Sequence, residues 1–269
     1  MLKKTIGFVG GGNMAGAMIG GILSSGLLEA SNIIASAKTG KTLTKLKETF
    51  GIRVTLSNTE VAENADIIFL AVKPYLYESV IKEIRGAVTE KQIIVSIAAG
   101  QSIERIESAF GKRVKLVRTM PNTPATVMEA MSALSPNDDI SDDELSDILS
   151  IFESFGKAEI IPESLMDAVT GVSGSSPAYV YLFIEAMADA AVKDGMPRAQ
   201  AYKFAAQSVL GAAKMVLKTG RHPGELKDAV CSPGGTTIEA VTRLEAGGFR
   251  NTIITAQNAC TAKSKEMSK

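Results

Sequence analysis

The most constraining feature of this chain stands near its beginning. Thr5-Ile6-Gly7-Phe8-Val9, an apolar run of strand type, passes directly into Gly10-Gly11-Gly12-Asn13-Met14-Ala15, and a helical pattern continues from Met14 to about Ser24. The pattern is G-x-G-x-x-A between a strand and a helix. Gly10 permits a tight turn, Gly12 leaves no side chain between the backbone and an approaching pyrophosphate, and Ala15 lets the helix lie close. Unpaired N–H groups and the helix dipole then favour an anion at the helix start.

The chain beyond the turn gives it weight. Up to about Pro162, short β-branched runs alternate with helical patterns, as when parallel strands are joined by crossover helices. The expected strands are Thr5 to Val9, Ile33 to Ala35, Asp66 to Val72, Gln92 to Ile97, Val114 to Thr119 and Glu159 to Ile161. Ile67-Ile68-Phe69-Leu70-Ala71-Val72 is apolar at successive positions, which suits a sheet covered on both faces. After Glu163 strand signals stop, and helices are punctuated by Gly195-Met196-Pro197, Gly220 to Pro223 and Ser232 to Gly235. The expectation is therefore α/β: a doubly wound, mostly parallel Rossmann domain over residues 1–162 and an all-α domain over 163–269. Two of the later helices, roughly Ala178 to Lys193 and Ala199 to Leu217, carry Ala, Met and aromatic residues around most of their circumference. One layer of contact would not bury them, so a second subunit is expected against them.

Charge and cysteine content narrow the partners. Lys and Arg number 29, as do Asp and Glu, so no broad positive field exists to hold nucleic acid or an anionic membrane. Only Cys231 and Cys260 could pair, and a reducing cytoplasm is the expected location. Lys3 and Lys4 before an apolar stretch imitate an export signal, but Gly10-Gly11-Gly12-Asn13 breaks the helix such a signal needs.

The second strand indicates which dinucleotide is preferred. A NAD site usually ends this strand in Asp or Glu to bind the ribose hydroxyls, whereas here it ends Ala35-Ser36-Ala37-Lys38-Thr39. With no carboxylate in that stretch, Ser36, Lys38 and Thr39, with Lys41 behind them, are expected to hold a 2′-phosphate. NADPH is favoured, with NADH as the lesser alternative. Lys45 and Lys47 read as a solvated helix face.

A second glycine turn lies near the C-terminus. Asp228-Ala229-Val230-Cys231-Ser232-Pro233-Gly234-Gly235-Thr236-Thr237-Ile238-Glu239-Ala240 runs a Pro-Gly-Gly turn into a helix and again exposes backbone N–H groups, either as a simple helix start or as an anion pocket sized for a carboxylate. Here the chain resembles the pyrroline-5-carboxylate reductases, whose signature segment matches Asp228 to Glu245. The likeness runs the length of the chain: Gly7 to Ala15, Phe69 to Pro74, Ser96 to Gly100, Arg118 to Pro124 and Asp167 to Tyr179 also match. One departure is Ser175-Ser176-Pro177, where the family more often has Ser-Gly-Pro; the added hydroxymethyl is expected to narrow the floor of the site slightly.

The resemblance implies a Rossmann domain, and a helical domain that interlocks with a partner's to form a homodimer, often assembled further. It also implies that Gly10, Gly12, Asn13, Met14, Ser36, Lys38, Asn58, Ala71, Val72, Lys73, Met120, Pro121 and Asn122 lie along the cofactor. Ser232, Gly234, Gly235, Thr236 and Thr237 would meet the substrate, in a site shared between subunits. The implied reaction is hydride transfer to a cyclic imine, pyrroline-5-carboxylate, giving L-proline in the last step of its biosynthesis. An imine nitrogen can be protonated before the hydride arrives, so orientation carries most of the catalysis. Thr237 is the expected catalytic side chain, hydrogen-bonded to the ring nitrogen.

Other groups read more simply. His222, the sole histidine, precedes Pro223 in an interhelical loop. The acidic run Asp138, Asp139, Asp142, Asp143 and Glu144 lacks a metal-ligand spacing and precedes a helix whose start favours carboxylates, so no metal is expected. Lys73 is expected to line the crevice or pair with an acid rather than donate a proton, and Cys231 to be a small buried thiol. A β-hydroxyacid dehydrogenase is the nearest rival, but the lysine it needs shortly after the glycine-rich interdomain segment is missing: Lys193 is the first after Ser173-Gly174-Ser175-Ser176-Pro177. A silent dinucleotide sensor on the same fold is the other alternative.

Overall fold

The computed structural model of the protein describes residues 2–268. Its strands are β1 (Ile6–Val9), β2 (Ile33–Ser36), β3 (Arg53–Thr55), β4 (Ile67–Leu70), β5 (Ile93–Ser96), β6 (Lys115–Met120), β7 (Ala130–Pro136) and β8 (Gly156–Ile160). They form one sheet in the order β3-β2-β1-β4-β5-β6-β7-β8. Pairing is parallel from β3 across to β6, antiparallel between β6 and β7, and parallel again between β7 and β8. Chain direction reverses laterally at β1, which has β2 on one side and β4 on the other. In such sheets the crevice beyond the carboxyl ends at this reversal is where ligands bind.

The helices between the strands are α1 (Asn13–Ser24), α2 (Gly40–Phe50), α3 (Asn58–Asn64), α4 (Tyr77–Ile84), α5 (Ile103–Phe110) and α6 (Asp142–Glu153). Side-chain alternation sends Ile6, Phe8, Ile67, Phe69, Ile93 and Val95 to one face, against Met18, Ile19, Ile22, Ile148 and Phe152. Val9, Ile68, Leu70 and Ile94 face the other way, onto Val61, Tyr77, Val80, Ile81 and Ile84. Both faces are covered, which accounts for the unbroken apolar strands. Phe8 stacks on Phe69 with ring centroids 4.8 Å apart, and Phe152 and Phe155 extend the cluster.

Two strands fall outside the expected set. β3 is a short edge strand beginning after Gly51, which caps α2 in the left-handed conformation. β7 reads Ala-Met-Ser-Ala-Leu-Ser-Pro, with no β-branched residue, and is placed by pairing with β6. The acidic run forms a helix start as read: Ser141 and Glu144 make a reciprocal capping box, with Asp142, Asp143 and Glu144 in the first turn of α6. Glu144 also pairs with Lys115, and Asp139 with Arg113.

From Met166 the chain is helical: α7 (Met166–Val169), a π-helical turn over Thr170–Gly174, α8 (Ser176–Lys193), α9 (Arg198–Thr219), α10 (Pro223–Val230), α11 (Thr236–Ala246) and α12 (Phe249–Met267). Packing divides the chain into two compact units. One holds the chain up to Ser175 together with the residues from Cys260 onward; the other is Ser176–Ala259. The π turn belongs to the first unit, where Ser175 N–H donates to Thr170 O at 2.9 Å. Gly174 is tight there, since a Cβ on it would lie 2.5 Å from Met120 Cε.

The second unit has almost no interior of its own. Along α8 and α9 only Ala188, Ala201 and Ala205 are buried, while Leu182 and Phe204 are 68% and 66% exposed. Val180, Tyr181, Phe183, Met187 and Leu210 are also exposed. An apolar surface this extensive is a mark of association. No helix among the described residues is long and apolar enough to cross a membrane.

Candidate active site

The phosphate turn sits at the carboxyl end of β1. Gly10 has φ +103°, a conformation L side chains rarely adopt, and a Cβ there would stand 2.7 Å from Ala71 O and 2.8 Å from Val72 Cγ1. Gly10 therefore packs directly on the Ala71-Val72-Lys73 loop after β4. Gly12 differs: its φ is −74°, and a Cβ on it would meet nothing within 4 Å. The space beside Gly12 is open, in keeping with a backbone left bare for a ligand. Gly12 is also the N-cap of α1, where no side chain caps the helix and no acidic residue occupies the first turn. The helix start thus keeps its N–H groups and positive potential available to an anion. Asn13 is exposed and Met14 half-buried at this start, and Ala15 is buried beneath it.

At the end of β2, the residues expected together separate by direction. Ser36 is fully buried and turned inward, accepting the Gly10 N–H at 3.2 Å and donating to Asn58 Oδ1 at 2.6 Å. Lys38 and Lys41 are exposed, and neither is among the cations paired with an acid in the described residues. Thr39 caps α2, its hydroxyl accepting the Thr42 N–H at 3.4 Å. Ser36 and Asn58 accordingly shape the turn from behind, and Lys38 and Lys41 are the exposed cations after β2.

Beyond β4, Lys73 is exposed and unpaired among the described ion pairs, and Pro74–Leu76 turn the chain into α4. The loop is held from below by Tyr77, whose buried hydroxyl donates to Leu70 O at 2.8 Å and lies 3.1 Å from Ser96 Oγ. Burial pushes the Tyr77 phenol up to about 12, against the weaker opposing pull of its hydrogen bonds to Ser96, Ile97 and Ala98. Thr119 Oγ1 donates to Ser96 O at 2.9 Å, so one buried network ties the carboxyl ends of β4, β5 and β6. Sequence reasoning missed Tyr77, because its position in Lys-Pro-Tyr-Leu-Tyr gives no sign that its hydroxyl turns inward.

At the end of β6, Met120 is half-buried and Pro121 and Asn122 are buried. Asn122 bridges two backbones: its Nδ2 donates to Ser173 O at 3.0 Å and its Oδ1 accepts the Met131 N–H at 3.0 Å. Its side chain is thereby occupied in fixing the π turn and the start of β7. The same unit holds Cys260, whose Sγ lies 3.1 Å from Ser175 Oγ. Both cysteines are free thiols.

In the helical unit, Gly234 has φ +66° and Gly235 is the N-cap of α11, with no side chain capping it. Gly235 N–H closes the turn onto Ser232 O at 3.0 Å. Thr236 is exposed and Thr237 half-buried in the first turn. Glu239, also in that turn, is drawn to Arg243 at 3.1 Å. His222 caps α10, its Nδ1 accepting the Gly224 N–H at 3.0 Å, which occupies the lone pair that acid–base work would use. Cys231 is half-buried at the end of α10.

A doubly wound sheet with a bare glycine turn at its reversal point, followed by a helical unit lacking its own core, defines a dinucleotide-dependent oxidoreductase of the two-domain kind. Comparison with known proteins narrows the class. Residues 163–267 match the family described as pyrroline-5-carboxylate reductase dimerisation, and residues 5–100 match one described as NADP oxidoreductase, coenzyme F420-dependent. The chain is 51% identical to the pyrroline-5-carboxylate reductase of Escherichia coli over 100% of both chains. It is 44% identical to that of Methanosarcina acetivorans, again over 100% of both. Among solved structures, the Plasmodium falciparum enzyme with NADP bound superposes with a TM-score of 0.90 at 34% identity, covering 100% of each chain. The chain belongs to the pyrroline-5-carboxylate reductase family. It is an NAD(P)-dependent oxidoreductase acting on an imine, and the hydroxyacid dehydrogenase and sensor alternatives are set aside.

Proposed function

We propose that the chain reduces pyrroline-5-carboxylate to L-proline with NADPH in preference to NADH, as a homo-oligomer. The observation that carries the assignment of parts is a pair of helix starts, α1 and α11, each entered through glycine and each left uncapped by any side chain. At α1, the N–H groups beyond Gly12 hold the pyrophosphate, with Asn13 and Met14 at its edge. The Ala71-Val72-Lys73 loop and Met120-Pro121 line the crevice. Lys38, with the Thr39 backbone beside it, receives the 2′-phosphate, while Ser36, Asn58 and Asn122 keep the surrounding backbone in place. The nicotinamide, when bound, supplies the hydride.

At α11, backbone N–H groups of Thr236 and Thr237 face a carboxylate, and Ser232, Gly234 and Gly235 form the turn that presents them. The Thr237 hydroxyl accepts a hydrogen bond from the protonated ring nitrogen and fixes which face of the C=N bond is presented. The imine enters protonated, so the carbon gains a hydride, the C=N double bond becomes single, and nitrogen keeps its proton and the electron pair. No side-chain acid of particular strength is required, which agrees with a sole histidine engaged in capping.

Thr237→Ala tests the assignment. Turnover is expected to fall about tenfold to hundredfold, the scale of one lost transition-state hydrogen bond, while the Kd for NADPH stays within about twofold of wild type. Wild-type turnover in that variant removes Thr237 from the reaction.

A further inference from the structure

An acidic side chain reaches the cofactor end of β2 from an element where the sequence gives no hint of it. Glu83 lies on α4, and the Asn58 Nδ2 donates to its Oε2 at 2.8 Å. Asn58 Oδ1 in turn accepts from Ser36 Oγ at 2.6 Å, and Ser36 Oγ accepts the Gly10 N–H at 3.2 Å. The Glu83 carboxylate is therefore one amide group removed from the hydroxyl at the tip of β2, and a single hydrogen-bonded chain runs from it to the phosphate turn. Glu83 is exposed, and none of the ion pairs among the described residues includes it.

We propose that Glu83 is a specificity-determining residue for the cofactor, opposing Lys38 and holding the preference for NADPH below what Lys38 alone would give. The inference rests on the placement of the 2′-phosphate at Lys38. Dinucleotide sites that prefer NAD place a carboxylate at the end of the second strand. This chain lacks one there, but Glu83 brings a carboxylate from α4 to within one side chain, Asn58, of Ser36 at the end of β2. Its effect on the two cofactors is unequal. A 2′-phosphate carries about 1.5 to 2 negative charges at neutral pH and is repelled, whereas neutral ribose hydroxyls are not. Glu83 Oε2 also accepts from Asn58 Nδ2, so that N–H is withheld from an incoming phosphate. Through Asn58 and Ser36 the same carboxylate positions the Gly10 turn, an effect shared by both cofactors.

The two effects separate by experiment. Glu83→Gln keeps an oxygen acceptor and removes the charge. Glu83→Ala removes both, and Lys38→Ala tests the opposing cation. Each full-length protein is assayed for kcat/KM with NADPH and with NADH at saturating pyrroline-5-carboxylate, in about 0.05 M and about 0.5 M salt, which straddle the range over which exposed charges are screened. Glu83→Gln is expected to raise the NADPH-to-NADH ratio about threefold to tenfold at low salt, through a lower KM for NADPH, and less at high salt. Glu83→Ala is expected to raise the ratio as well, while weakening both cofactors. Lys38→Ala is expected to lower the ratio. An unchanged ratio in Glu83→Gln, or an equal change for both cofactors at either salt, overturns the proposal; if Lys38→Ala still lowers the ratio, the phosphate placement stands without it. An unchanged ratio in Lys38→Ala overturns the proposal as well, because Glu83 is then opposed to no cation at the 2′-phosphate.

Discussion

Gly10 and Gly12 sit two residues apart in one turn, yet alanine should act on them through different physics. At Gly10 an added Cβ would be 2.7 Å from Ala71 O and 2.9 Å from Ala71 C, which is backbone and cannot rotate away, and φ of +103° is strained for alanine. Strain of this kind costs about 1–3 kcal/mol, and overpacking against a fixed neighbour about as much again. For Gly10→Ala a loss of about 4 kcal/mol corresponds to a melting temperature lower by roughly 8–16 °C. Gly12→Ala meets nothing within 4 Å at φ −74°. Its small cost as a helix cap is offset by a less flexible unfolded chain, so melting should move by no more than about 2 °C. Cofactor affinity reverses the contrast in what it reveals. Gly12→Ala, folded as wild type, should bind NADPH at least about tenfold more weakly, because its methyl group fills the space over the α1 start. Calorimetric melting and NADPH titration of both variants decide the matter. Gly12→Ala with wild-type affinity would refute the placement of the pyrophosphate, and Gly10→Ala with wild-type melting would refute the packing of the turn on Ala71.

Tyr77 offers a pH-dependent test. Its phenol ionises near 12 when folded but near 10 in an unfolded chain, so the stabilisation from keeping it neutral is complete below about pH 10 and is lost as pH rises towards 12. Tyr77→Phe should therefore lose stability less steeply than wild type above about pH 10, while costing about 1–3 kcal/mol at neutral pH through the unpaired Leu70 O and Ser96 Oγ; parallel alkaline melting curves would count against this. For the helical unit, Leu182→Glu places a charge on a surface where Leu182 is 68% exposed in the single chain. It is expected to shift the protein towards monomer in size-exclusion chromatography with light scattering, and an unchanged assembly would mean that this face is not the interface.

Legibility in the sequence followed burial. The strands β1, β2, β4 and β5 are apolar at every position or nearly so because helices cover both faces, and such runs announce themselves. β7 does not, since it owes its place to pairing with β6 and to the Asn122 side chain holding the Met131 N–H. The glycine turn was legible because a turn of that geometry restricts residue type locally. The directions of Ser36, Asn58 and Asn122 were not, because a polar side chain near a crevice can face a ligand or the backbone behind it, and only packing decides. In this chain Ser36 and Asn122 use their polar atoms on the protein. Glu83 was invisible for a related reason: α4 and the end of β2 are distant in sequence, and only the fold brings them to one corner.

The most direct test is the initial rate of cofactor oxidation when pyrroline-5-carboxylate is added to the purified protein, with NADPH and NADH at equal concentration in parallel and L-proline measured as product. Rapid oxidation with one proline formed per cofactor consumed, faster with NADPH, is the expected result. Cofactor binding without oxidation by either dinucleotide would contradict the assignment of the reaction to the Gly12 and Gly235 helix starts.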